Sequence, residues 1–332
     1  MHLKAIRLIN FRSFDLFERA FNKTNIIYGR NASGKTNLIE GIYTILNGHS
    51  FLRRNTPLKK DPEKETVLYG FVDEREIKIR ISNREKQIRV NGKKSDIITL
   101  KREFPTLLYS IETFLSFRSK AYILSLLDRT AFIDDETVAD LLVEYRKLKR
   151  VKQSALRSTK KDINLLEVTN RRLIEIINRI FALRKEALDN LEGFISEACD
   201  TLKLGNIKTV FSYSTINTNP AKKEIVTGRS LLSLQRCDIQ LILNGKELFV
   251  FSSVGEKKMA LLAIIVAIAR YYNRKKQPIL LVDDLEGDLD EGFRKRALDL
   301  LLSLPNQLFL TTLGEYLYNE HNIIRLDGGQ TH

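Results

Sequence analysis

The chain has 332 residues, 43% of them hydrophobic, which is enough apolar material for a folded core and excludes a wholly disordered protein. Its 55 Lys and Arg against 41 Asp and Glu leave a formal net charge of +14, an excess that draws polyanions such as nucleic acid, although the same charge would also serve solubility alone. Two cysteines, Cys199 and Cys237, give neither a disulfide framework nor a metal spacing, and the longest apolar run, Met259 to Ala269, is far short of a membrane span, so a cytoplasmic location is expected.

From the N-terminus, residues 3–9 alternate apolar and polar side chains and predict a strand, Asn10-Phe11-Arg12-Ser13-Phe14 a turn, and residues 15–28 two further short strands. Gly29-Arg30-Asn31-Ala32-Ser33-Gly34-Lys35-Thr36 then fits the template Gly-x4-Gly-Lys-Ser/Thr at every position. It follows the strand signal Ile26-Ile27-Tyr28 and opens a helical one at Asn37–Tyr43, the context that distinguishes a phosphate loop from a glycine-rich turn. Such a loop needs glycines so that backbone N–H groups can turn inward on an anion at the helix N-terminus. Lys35 is expected to reach the β- and γ-phosphates of ATP, and the Thr36 hydroxyl to hold Mg²⁺. A polar, basic stretch from Gly48 to Lys64 follows, including Arg53 and Arg54. Strand signals at Val67–Phe71, Ile77–Ile81 and Gln87–Val90, with turns at Asn83-Arg84 and Asn91-Gly92, predict an antiparallel sheet beside the phosphate loop.

From about residue 112 to 204 the pattern is helical, with a period visible in Leu141, Leu142, Tyr145, Leu148 and Val151, and again in Leu165, Leu173, Ile176, Ile177, Ile180 and Phe181. No proline falls between Pro105 and Pro220, and a weak break near Arg157-Ser158-Thr159 predicts an arm that folds back as an antiparallel hairpin. Between Glu144 and Asp162 the arm carries eight Lys or Arg and no acid: Arg146, Lys147, Lys149, Arg150, Lys152, Arg157, Lys160 and Lys161. A helix face carrying several of these could follow a duplex backbone, with Lys147, Lys149 and Arg150 the candidate DNA contacts, or it could be an ordinary solvated surface.

Strand signals return at Lys208–Tyr213 and Ile239–Leu243, with a turn at Asn244-Gly245. Ser253-Val254-Gly255-Glu256 precedes the apolar helix Met259–Tyr271. By itself Ser-x-Gly-Glu says little more than helix N-cap, and it gains weight only from the acidic strand end downstream of it. Ile279-Leu280-Leu281-Val282-Asp283-Asp284 is an apolar strand delivering paired carboxylates to its C-terminal edge. Asp283 is expected to hold Mg²⁺ through its water shell and Asp284 to polarise the attacking water. Gln307–Thr312 predicts one more core strand, ending in hydroxyls. The expected division is an ATPase lobe made of residues 1–108 and 206–332, interrupted by a helical arm over 109–205.

Phosphate loop, helical insertion, Ser-x-Gly-Glu and Asp-Asp, in that order, resemble the ABC-type heads of SMC-like DNA repair ATPases, and in detail the RecF family. The resemblance runs nearly end to end. It includes Asn10–Phe14, Gly29–Glu40, Leu127-Asp128 ahead of Ile133-Asp134, Tyr145–Lys149, Leu243–Lys246, Ser253–Glu256, Leu281–Asp290 and Thr311-Thr312. It implies an α/β fold: an ABC-type P-loop ATPase head, with a mixed parallel sheet and an antiparallel β-subdomain, carrying an inserted α-helical arm. It implies that Gly29, Arg30, Asn31, Ala32, Ser33, Gly34, Lys35 and Thr36 bind ATP in cis. Ser253, Gly255 and Glu256 would face the nucleotide of a second copy in an ATP-dependent homodimer, and Gly287–Asp290 would lie between the two sites. It further implies binding of double-stranded or gapped DNA, cooperation with RecO- and RecR-like mediators in loading RecA, and slow hydrolysis with Lys35 and Asp284 as catalytic groups. The chain departs from the family at Glu256, where Gln is usual, at Gly287, where Ser is usual, and at Gln235-Arg236-Cys237-Asp238, which replaces a His-Arg-Asp-Asp stretch. A transporter subunit would carry a switch histidine where Thr311-Thr312-Leu313 stands. An SMC-like defence ATPase working with a separate nuclease is the alternative within the same superfamily.

Overall fold

The computed structural model describes residues 1–52, 58–83, 85–158, 162–285, 289–312 and 322–326. In chain order the first elements are β1 (Leu3–Phe11), β2 (Phe14–Ala20), β3 (Thr24–Tyr28), α1 (Lys35–Asn47), β4 (Thr66–Val72), β5 (Arg75–Ile81), β6 (Lys86–Val90), β7 (Lys93–Lys94), α2 (Ile97–Glu103), β8 (Thr106–Tyr109) and α3 (Ile111–Phe117). They continue with α4 (Lys120–Asp134), α5 (Thr137–Arg157), α6 (Ile163–Leu202), β9 (Ile207–Tyr213), α7 (Ala221–Thr227), β10 (Cys237–Leu243), β11 (Lys246–Glu247) and α8 (Leu248–Phe251). The last are α9 (Val254–Tyr272), β12 (Ile279–Val282), α10 (Glu291–Ser303), β13 (Leu308–Thr312) and β14 (Asn322–Arg325). Two compact units result: Met1–Ser116 with Ala198–Leu204 and Val254–His332, and Phe117–Glu197 with Gly205–Ser253.

The first unit holds two sheets. One is antiparallel in the order β2-β1-β4-β5-β6-β7, and the other is parallel in the order β14-β3-β13-β12-β8. β12, wholly apolar, and β13, apolar up to its two terminal threonines, are buried at every position, as expected of strands covered on both faces. α1 is buried from Leu38 to Asn47, because it packs on strands of both sheets; its Leu38, Ile42 and Leu46 share one core with Leu8, Leu68, Ile27, Leu281 and Phe309. β8 and β14 complete the parallel sheet and correspond to no strand expected from the sequence, a first correction.

The second unit contains the expected hairpin of α5 and α6. Arg172 pairs with Glu144, Leu156 clusters with Leu166, and Val138 clusters with Leu183, a register that fixes the two helices as antiparallel. The compact units divide differently from the expected lobes: residues 109–116 and Ala198–Leu204, expected in the arm, group with the first unit, and Gly205–Ser253, expected almost wholly in the ATPase lobe, groups with the helices. Side chains far apart in sequence bind it there. Arg184 on α6 donates to the Leu234 carbonyl at 2.7 Å, Asn178 donates to the Ile216 carbonyl at 3.0 Å, and the Phe181 and Tyr213 rings lie 5.2 Å apart. No helix among the described residues is long and apolar enough to cross a membrane.

Candidate functional site

The site grows out of the link between β3 and α1. β3 ends at Tyr28, and the loop reaches α1 through Ala32 and Gly34, both in the left-handed region at φ 63° and 105°. Gly34 is required twice over. Its φ disfavours an L side chain, and a Cβ there would sit 3.1 Å from Ser13 Oγ and 3.3 Å from the Phe14 ring. A Cβ on Gly29 would stand 2.5 Å from both the Leu326 carbonyl and Ser33 Oγ. No side chain caps the N-terminus of α1 and no acid stands in its first turn, so its leading N–H groups are left for an anion.

Lys35 folds back over the loop, donating to the carbonyls of Gly29 at 2.6 Å and Arg30 at 3.0 Å. The turn between β1 and β2 supports the loop from behind. Asn37 Nδ2 donates to Ser13 Oγ at 2.9 Å, and Arg12 Nε donates to Glu40 Oε2 at 2.6 Å in a pair whose side chains are 5% and 0% exposed. Asn10 and Arg12 adopt φ of 51° and 55°, and Asn10 holds the Asp61 and Lys64 carbonyls through Nδ2 at 2.9 and 3.1 Å. The Asn-Phe-Arg-Ser-Phe segment therefore acts as a brace: two strained polar residues turn the chain so that Arg12 and Ser13 reach α1.

Facing the loop are the C-terminal ends of β12 and β13. Asp283 is buried and accepts hydrogen bonds from the Thr311 hydroxyl, at 2.9 Å, and the Thr36 hydroxyl. Burial pushes its carboxyl above the ordinary aspartate range, Thr36 and Thr311 pull the other way, and the nearby Glu112 and Asp284 charges reinforce the rise. Asp284 is exposed, takes a left-handed φ of 57°, and donates its N–H to Thr311 Oγ1 at 2.9 Å. Burial raises the Tyr109 hydroxyl, with the Asp284 charge adding to it. Asn31, Ala32, Gly34, Lys35, Thr36 and Asn37 line a cavity of about 690 Å³ together with Asp283, Asp284, Arg294, Thr311 and Thr312.

A nucleotide with a divalent cation fits this donor set. The loop leaves a glycine cradle that a Cβ would fill, Ser33 Oγ is buried without a partner, and a cluster of oxygen donors (Thr36, Asp283, Thr311) carries a carboxylate whose ionisation a nearby cation would favour.

The structure brings together most of the residues singled out from the sequence, in differing positions. Gly29, Arg30 and Ser33 shape the loop and are not on the cavity wall. Gly255 and Glu256 stand in the first turn of α9, also off that wall, and Ser253 is the exposed last residue of the other unit. Glu286, Gly287 and Asp288 lie outside the described residues, as do Arg53, Arg54, Lys160 and Lys161; Asp290 serves as N-cap of α10, accepting the Phe293 N–H at 2.9 Å. On α5, Arg146, Lys147, Arg150 and Arg157 are exposed and Lys149 half-buried. Lys152 departs from the expectation of a single basic surface: it is fully buried and paired with Glu224 at 2.7 Å. Asn37, the Arg12–Glu40 pair and Arg294, in the first turn of α10, were not singled out from the sequence.

A parallel sheet bearing a phosphate loop on β3 and paired carboxylates on β12, with an antiparallel sheet beside it, defines an ABC-type P-loop ATPase head. Residues 2–326 match the model of the RecF/RecN/SMC N terminal domain, and the chain belongs to that family. A DNA replication and repair protein RecF from Ligilactobacillus salivarius is 29% identical over 99% of this chain and 97% of its own length. Another, from Carboxydothermus hydrogenoformans, is 25% identical over 99% of each. Among solved structures, the recombination mediator protein RecF with ATP in the RecFOR pathway superposes with a TM-score of 0.86 at 24% identity, covering 100% of this chain and 98% of that one. An SMC head bound to the C-terminal winged-helix domain of ScpA gives 0.58 at 17% identity, covering 98% and 94%.

Proposed function

We propose that this protein is an ATP-dependent DNA-binding protein of recombinational repair, acting in the cytoplasm. ATP joins two copies into a clamp on double-stranded DNA near gaps, the clamp helps RecO- and RecR-like partners load RecA, and slow, DNA-stimulated hydrolysis releases it. The observation that carries the reading is the single cavity wall joining phosphate loop, acid pair and strand-end hydroxyls in a chain whose relatives over nearly its whole length are RecF proteins. The RecF structure with ATP supports the choice of nucleotide.

In this reading, Gly34 and the N–H groups opening α1 bind the phosphates, with Gly29 and Ser33 setting the loop's shape and Lys35 leaving its loop carbonyls to meet them. Thr36 and Asp283 would hold Mg²⁺, which would neutralise phosphate charge and orient the terminal group. Asp284, exposed at the strand end and fixed through its backbone by Thr311, would polarise the attacking water and take its proton. Ser253, Gly255 and Glu256 belong to the nucleotide of the second copy, so hydrolysis waits on dimerisation. This reading takes Gly205–Ser253 with the arm helices, in line with the compact units.

The DNA contact is assigned to the exposed basic side of α5. Replacing Lys147, Lys149 and Arg150 together by Gln should leave ATP affinity unchanged and weaken gapped-duplex binding. The slope of log affinity against log salt should flatten by about 2 to 3, since each released phosphate contact removes about 0.9. Fluorescence anisotropy across a salt series reads this directly, and an unchanged slope would return α5 to the status of a solvated helix.

A further inference from the structure

One charged residue lining the cavity takes no part in the binding and hydrolysis steps assigned above. Arg294 is the fourth residue of α10 and lines the same cavity as Asp283, Asp284, Thr311, Thr312 and the phosphate loop. It is exposed, and among the described residues its guanidinium has neither an ion-pair nor a hydrogen-bond partner. Its neighbour on the same helix behaves differently: Arg296 donates from Nε to the Leu202 carbonyl at 3.1 Å and lies 6.0 Å over the Phe293 ring, so its side chain is engaged in holding α10. Lys295 is exposed and off the cavity wall.

The only cations on that wall are Lys35 and Arg294 among the described residues, and Lys35 is anchored on the loop side by two carbonyls. A guanidinium kept unpaired within reach of a cavity that also holds two carboxylates is placed for a ligand rather than for the fold; its planar fork of N–H donors matches phosphate oxygens. With a nucleotide in the cavity, the loop and the N-terminus of α1 take the inner phosphates, which leaves the terminal one of a triphosphate for a cationic lining residue outside the loop, and among the described residues that is Arg294. We propose that Arg294 contacts the terminal phosphate of the bound nucleotide and makes the cavity prefer a nucleoside triphosphate over the diphosphate. The inference rests on the nucleotide reading given above and adds to it a residue that senses the state of the nucleotide. After hydrolysis the guanidinium loses its ligand while the loop contacts remain, so the product is held by the loop alone.

The test is calorimetric titration of ATP and of ADP, each with Mg²⁺, into the wild-type protein and the Arg294→Ala, Arg294→Lys and Lys295→Ala variants, with thermal unfolding of each as a check on folding. Loss of a charge-assisted contact predicts that Arg294→Ala weakens ATP binding about tenfold or more and ADP binding less than about twofold, with Arg294→Lys intermediate and Lys295→Ala unchanged. Equal losses for the two nucleotides, or none, would overturn the assignment of Arg294 and leave the nucleotide site standing. A folded wild-type protein that bound neither nucleotide would overturn both.

Discussion

Lys35→Ala is expected to reduce ATP affinity by at least about a hundredfold, the scale of losing several charge-assisted phosphate contacts, without unfolding the protein. Lys35 is half-buried, and its amine donates to two carbonyls of the loop itself, which are contacts local to the loop. Asp284→Asn should behave differently. The side chain is exposed, and its backbone N–H, which the substitution leaves in place, makes the bond to Thr311. Binding should therefore survive while turnover falls by about two to four orders of magnitude, the range for losing a general base. Equilibrium binding and single-turnover hydrolysis measured on the two variants separate the roles. If both lost only binding, or both only turnover, the assignment of the loop lysine and the second carboxylate would fail.

The second large effect lies in the arm unit. Lys152 and Glu224 form an ion pair with both side chains 0% exposed, 2.7 Å apart. Glu224 also accepts from Asn170 Nδ2 at 2.9 Å and from the Leu231 N–H, so one carboxylate ties α5, α6, α7 and the segment after α7 together. Burial pushes the Lys152 ammonium below its ordinary range and Glu224 holds it partly up, which is the balance expected of a charge kept in the interior only by its partner. Lys152→Met leaves the carboxylate buried with its remaining donors and should cost about 3–5 kcal/mol of unfolding free energy. Urea unfolding followed by far-ultraviolet circular dichroism would show it, with ATP affinity unaffected because the residues lining the nucleotide cavity belong to the other unit. A change under about 1 kcal/mol, the usual value of an exposed pair, would mean that the pair is open to solvent.

Lys152 also marks a place where the pattern was present in the sequence but masked. It follows Tyr145 and Leu148 and precedes Leu156 at helical spacing, on the stripe that turns inward. The basic run concealed that period. The phosphate loop was readable because its chemistry constrains residue type at fixed offsets, and the acid pair because an unbroken apolar strand leads into it. β8 was not readable: Thr106–Tyr109 is only four residues, all buried, with no alternation to mark a strand, and it sits directly before a helix. The membership of 206–253 was hidden for another reason. It depends on pairs such as Arg184 with Leu234 and Tyr145 Oη with the Leu234 N–H at 3.3 Å, separated by 50 and 89 residues, and no local pattern encodes them. The brace of Asn10, Arg12 and Ser13 lies between these cases. Its residues stand out as a motif, but their job, turning the chain onto Glu40 and Asn37, appears only in three dimensions.

The central claim is that ATP makes a DNA-holding dimer out of this head. It is tested most directly by light-scattering mass of the Asp284→Asn protein with and without ATP and Mg²⁺, with labelled gapped duplex added last. The expected result is a mass that doubles only with ATP and a duplex that associates only with the doubled species. A protein that binds ATP yet keeps the monomer mass of 38.3 kDa, or holds DNA equally well without nucleotide, would contradict it.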